Sequence, residues 1–166
     1  MIDFDSVLLN LKKLKEVEMI SSESSDTVVF KKGDSTFLLT RNKRADEILK
    51  DDFTLAMATR PASLENCELD YLSKLEIINK VNISSSIPCK LTYRKDIDLF
   101  FAEVNHMIFS QGSVSSDEFI KENLNHYIPM ALLGMMMLIF EMIGKLDSEI
   151  KNILSAAKNE AQDETK

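Results

Sequence analysis

The chain is poor in the residues on which most catalytic sites depend. Among 166 residues there are two cysteines, two histidines, three prolines and four glycines. Phosphate-cradling loops need clustered glycines, and Gly33, Gly112, Gly134 and Gly144 each stand alone. Neither a P-loop nor a dinucleotide fingerprint is present. A nucleophilic triad needs a Ser or Cys beside a His and an acid, and the two histidines, His106 and His126, read as polar residues of a strand and of the last helix. Cys67, Cys89, His106 and His126 include no close-spaced pair that would hold a metal. With no CxxC pair and no disulfide spacing, Cys67 and Cys89 read as buried free thiols. The expectation is a non-enzyme with no catalytic residue, cofactor site or metal site.

Positive charge is also short. Lys and Arg number 20 against 27 Asp and Glu, a formal net charge of -7 with pI ≈ 4.9. Such a surface repels a phosphate backbone unless a basic patch is segregated on one face. The best cluster, "RNKR" at Arg41–Arg44, is short and lies beside acids, so no nucleic-acid partner is expected. The opening "MIDFDSVLLNLKKLKEV" is acidic and amphipathic where a signal peptide is basic and then apolar. A cytoplasmic protein is expected.

What is present is 45% hydrophobic and 28% charged residues, the balance of an ordinary globular protein. The length suits one domain, taken as residues 1–150, with a polar tail over 151–166 that is either a helical extension or disordered. Val7, Leu8, Leu11, Leu14 and Val17 recur at helical spacing and predict a first helix over Asp5–Met19, ended by "SSESSD". "TVVFKKGDSTFLLTR" predicts a hairpin about Gly33-Asp34, "ADEILKD" a short helical turn, and "FTLAMAT" a third strand. After Pro61, helical spacing from Leu64 to Asn82 predicts a second helix. "IPCKLTYRKDIDLFFAEVNHMIF" predicts a second hairpin turning at Lys95-Asp96, its returning strand apolar on both faces as a central strand is.

Ser115 with Glu118 forms a capping box, and Val114 with Phe119 a hydrophobic staple, at the start of a last helix. Pro129 is expected to kink or briefly break that helix near Tyr127. The predicted architecture is α+β: a mainly antiparallel five-stranded sheet with three helices, in the order α-β-β-β-α-β-β-α.

The run "PMALLGMMMLIFEMIG" at Pro129–Gly144 is apolar all round. At about 1.5 Å per residue it is about 24 Å long, short of a membrane's roughly 30 Å of hydrocarbon, and no membrane partner is expected. A helix with no face fit for water is covered on every side. The candidate covers are a second copy of the chain, which leads, another element of the same chain, or a client segment. The residues expected at a dimer or partner contact are Met130, Leu133, Met136, Met137 and Phe140. Five of nine methionines lie here; adaptable side chains suit varied partners, and core gap-filling explains them more simply. Glu141, an ionisable group amid apolar neighbours, has Lys145 at i+4 as its natural partner.

The element order resembles the fold shared by type III secretion chaperones and the YbjN-like proteins. The likeness runs from Leu75 to Met142. It rests on "EIINKVN" with its paired Asn79 and Asn82, on the strand-turn-strand "IPCKLTYRKDIDLFFAEVNHMIF", and on the Gly-then-Ser-capped "GSVSSDEFIKENLNHY". The chain departs from the YbjN-like group in lacking a tryptophan near the paired asparagines. The resemblance implies a small acidic bacterial cytoplasmic protein, a homodimer that binds other polypeptides or regulates without doing chemistry. The leading reading is a homodimeric chaperone-like or adaptor protein that binds a partner polypeptide. The alternatives are a regulatory or immunity-type protein that inhibits one specific partner, and an enzyme with an unrecognised site.

Overall fold

A computed structural model describes residues 4–24, 26–33, 35–42, 52–108 and 123–163. Its elements in chain order are α1 (Phe4–Lys13), β1 (Val17–Ser24), β2 (Thr27–Lys32), β3 (Ser35–Asn42), β4 (Asp52–Thr59), α2 (Ala62–Asn66), α3 (Tyr71–Ser84), β5 (Lys90–Arg94), β6 (Leu99–Ile108) and α4 (Leu124–Asp163). The six strands form one sheet in the order β1-β2-β3-β4-β6-β5, and the pairs β1/β2, β2/β3, β3/β4 and β5/β6 are antiparallel. The α+β class and the antiparallel sheet agree with the sequence expectation; the described residues hold one strand and one helix more than it foresaw. Both additions arise where a single long helix was expected.

The first is β1. Helix α1 stops at Lys13, with the Leu14 amide donating back to the Leu11 carbonyl at 3.1 Å, and Glu16 turns into the left-handed region at φ 67. An α-helix cannot pass through that conformation, so Val17–Met19 leave as a strand against Phe30–Lys32. The second is the division of the next helix. Asp70 takes an extended conformation and its carboxylate accepts from the Leu72 and Ser73 amides at 2.9 and 3.1 Å, which starts α3 afresh after the short α2. Pro61 stands just ahead of α2, at its N-cap.

The described chain divides into two compact units: Met1–Ala58 with Val104–Met137, and Thr59–Glu103 with Leu138–Lys166. In the first, the period-2 alternation of β2, β3 and β4 sends Val28, Phe30, Phe37, Leu39, Phe53, Leu55 and Met57 to one buried face. The register sets Phe30 opposite Phe37, Phe37 opposite Met57 and Leu39 opposite Leu55. The Phe30 and Phe37 rings stack at 5.3 Å. Lys32 pairs with Ser35, and Gly33 at φ +59 supplies a conformation that a side chain would resist. Phe4, Val7 and Leu11 give α1 its buried stripe, and Arg41, from the basic cluster, lies over the Phe4 ring at 4.8 Å.

In the second unit, Ile77, Ile78 and Val81 of α3 are buried, as are Cys89 and Leu91 of the β5 arm and Phe100 and Ala102 of β6. Asn82 exchanges both hydrogen bonds with the Leu91 backbone, its Nδ2 donating at 2.8 Å and its Oδ1 accepting at 2.9 Å. Lys80 of α3 pairs with Glu149 of α4. Strand β6 lies between β4 and β5, as a central strand should, though Leu99, Phe101 and Glu103 on its second face are only half-buried.

Helix α4 begins at Leu124, after a turn in which the His126 and Tyr127 amides donate to the Asn123 carbonyl, and it continues to Asp163. Pro129 falls in its second turn; of the kink or brief break expected near Tyr127, the break does not occur, since the helix continues through the proline. An amide is lost there near a helix end, where interruption costs least. Most of the 151–166 tail is therefore the end of this helix. The turn predicted at "ADEILKD", the capping box and the staple lie outside the described residues.

Candidate functional site

Two surfaces stand out. The first is on α4, where every third or fourth residue is sealed from water: Ile128, Leu132, Met135, Ile139, Met142, Leu146 and Ile150. At 3.6 residues per turn those side chains fall in one stripe. Roughly opposite runs a second stripe that is apolar and open: Met130 is 65% exposed, Leu133 50%, Met137 63% and Phe140 62%. Met136 flanks the two, half-buried. The sequence-predicted contact residues are thus four exposed neighbours at spacings of three and four, with the fifth at their edge.

Among the described residues nothing seals that face. Gly134 and Gly144 lie on the same helix, and a Cβ at either would meet no atom within 4 Å. Each glycine costs a helix about 1 kcal/mol relative to alanine, and no packing among the described residues accounts for it. Glu141, itself exposed, is reached by Lys145 Nζ at 4.0 Å, the partner expected of it, and Lys145 also donates to Ser85 Oγ at 3.3 Å. By length and composition residues 125–156 are long and apolar enough to cross a membrane, longer than the apolar run alone suggested. The sealed stripe occupies the same stretch, so one side of this helix is committed to the protein interior.

The second surface is a cleft of about 380 Å³ within the second unit. Its apolar wall is Leu64, Leu99 and Phe100, with Tyr71 beside them. Tyr71, Tyr93 and Phe100 form one aromatic cluster: the Tyr71 ring meets Tyr93 edge-on at 4.9 Å, and Tyr93 lies 5.0 Å from Phe100. Arg60, Glu65, Lys74 and Asp98 supply charge around it. Arg60 Nε donates to Glu65 Oε1 at 2.5 Å. Tyr93 Oη donates to Asp98 Oδ1 at 2.7 Å, and that bond holds the phenol protonated, pushing its pKa up to about 12. Asp98 itself sits in the left-handed region at φ 54, at the end of the β5–β6 turn. Helical and strand periodicity could not reveal this cleft, because its residues come from three segments that only the fold assembles.

The residues considered for chemistry remain dispersed. Cys89 is buried and desolvation raises its thiol pKa to about 11, whereas Cys67, expected to be buried, is half-exposed with its thiol donating to the Leu64 carbonyl. His126 is exposed on α4 and His106 lies on β6. Among the described residues no group of three His, Cys, Asp or Glu is placed to hold a metal ion. No family model, curated protein or solved structure matches the chain.

Proposed function

We propose that the protein is a non-enzymatic homodimer, chaperone-like or adaptor in kind, that binds a partner polypeptide and self-associates through the open stripe of α4. The observation that carries this reading is the pair of opposed apolar stripes on one helix: the first is buried and the second is exposed, with nothing among the described residues sealing it. The spacing 130, 133, 137, 140 is the three-four repeat with which helices interlock. Glycines at 134 and 144 allow a second backbone to approach closely. A buried Met or Phe contributes about 1.5–3 kcal/mol, so four residues from each copy can offset an association cost of roughly 4–15 kcal/mol. The acidic surface and the YbjN-like pattern of "EIINKVN" support the same reading.

The test is sedimentation velocity on the wild type and on a Met137→Asp/Phe140→Asp double variant. The wild type is expected to sediment as a dimer at tens of micromolar, a range where roughly 6–8 kcal/mol of binding free energy suffices. The variant is expected as a folded monomer, since both positions face water in the single chain. Met135→Asp, which places a charge in the sealed stripe, should instead unfold the protein. A wild type that stays a well-folded monomer would sink the proposal.

A further inference from the structure

The cleft is independent of the α4 stripe, and its charges are unevenly satisfied. Arg60 and Glu65 neutralise one another across 2.5 Å. Asp98 accepts the Tyr93 hydroxyl through one carboxylate oxygen, Oδ1. Lys74, half-buried, has its amide bonded to the Asp70 carbonyl, and its ammonium has no hydrogen-bond or ion-pair partner among the described residues. That leaves three N–H donors of the ammonium open to an anionic group of a ligand. Leu64, Leu99, Phe100 and Tyr71 line the same cleft as these two charges of opposite sign. The volume falls in the range of small-molecule sites, roughly 300–1,000 Å³.

We infer that this cleft binds a small zwitterion with an apolar side chain, the chemistry of a free hydrophobic or aromatic α-amino acid. The ligand carboxylate pairs with the Lys74 ammonium and its ammonium with the Asp98 carboxylate, while the side chain lies on the aromatic cluster. A simple organic anion fits less well. It would leave Asp98 unanswered and bring its charge toward Glu65 and Asp98 on a protein of net charge -7. A simple cation would leave Lys74 unanswered.

The experiment is a titration of the full chain with L-phenylalanine and L-leucine, followed by backbone amide NMR shifts. Two analogues carrying one charge each, 3-phenylpropionate and phenethylamine, are titrated beside them. Saturable shifts at Tyr71, Lys74 and Phe100, half-complete near about 1 mM, are expected for an amino acid. Lys74→Gln and Asp98→Asn should each weaken binding by about tenfold or more, the loss of one hydrogen bond to a charged group. Asparagine tolerates the positive φ at 98 and keeps an acceptor for Tyr93, so the second variant tests charge alone. Lys12→Gln, a lysine removed from the exposed face of α1, should change nothing. The inference is overturned if no saturable shift appears, if either one-charge analogue binds as tightly as phenylalanine, or if the shifts fall on α4 alone.

Discussion

Asn82 commits its whole side-chain amide to one backbone residue, donating to the Leu91 carbonyl and accepting from its amide. A half-buried helix residue thereby acts as one residue of a neighbouring strand and satisfies part of the free edge of β5, which pairs with β6 on its other side. Truncation strands two backbone groups where water reaches them poorly. Asn82→Ala is expected to lower unfolding free energy by about 1–3 kcal/mol, while Asn79→Ala, at an exposed position, should stay within about 0.5 kcal/mol. Urea unfolding of both variants measures the contrast, and equal losses would show that Asn82 has no special part. The paired asparagines were visible in the sequence. Which of them bonds the backbone was not, because both fall near the end of one helix and only the fold brings Leu91 to one of them.

At the scale of elements, strands with strict alternation were the most legible. "FTLAMAT" alternates large and small residues, and its three large ones are all sealed. β1 escaped notice because "VEMISSES" has no such alternation; two register shifts against β2 show how loosely its side chains specify the pairing. The α2–α3 break was hidden by its own regularity, since Leu64, Cys67, Tyr71 and Leu75 keep helical spacing straight across it. The signal was Asp70 with Ser73, an N-cap inside an apparent helix. Ser73 Oγ donates to Asp70 Oδ2 at 2.7 Å and, with the Ser73 amide, holds the Asp70 pKa below its ordinary 3.8. A carboxylate depressed on folding stabilises the fold above its ordinary pKa, and that contribution disappears as pH falls through the depressed value. Ser73→Ala should therefore move the Asp70 midpoint upward in a carboxyl NMR titration and bring the acid loss of α3 to higher pH. An unmoved midpoint would mean that the hydroxyl does not set this cap.

For the whole molecule, the sequence stated the problem that the structure localises: a helix apolar on every side in a chain of net charge -7. Composition alone could not separate the sealed stripe from the open one, because methionines and leucines occur on both. Burial separates them, and charge then predicts how two copies should meet. In the proposed dimer each copy brings the same acidic surface, so the stripe would have to hold the two together against mutual repulsion. That repulsion reaches about 30 Å at 0.01 M salt and about 8 Å at 0.15 M, whereas contact between apolar side chains is little affected over this range. The dimer constant measured by sedimentation equilibrium at pH 7 should therefore tighten as sodium chloride rises from the first concentration to the second. Near the pI of 4.9, where the two copies no longer repel, the same change of salt should have little effect. A dimer that loosens with salt at pH 7 would instead be held by charge pairs, and the open stripe of α4 would then need another occupant.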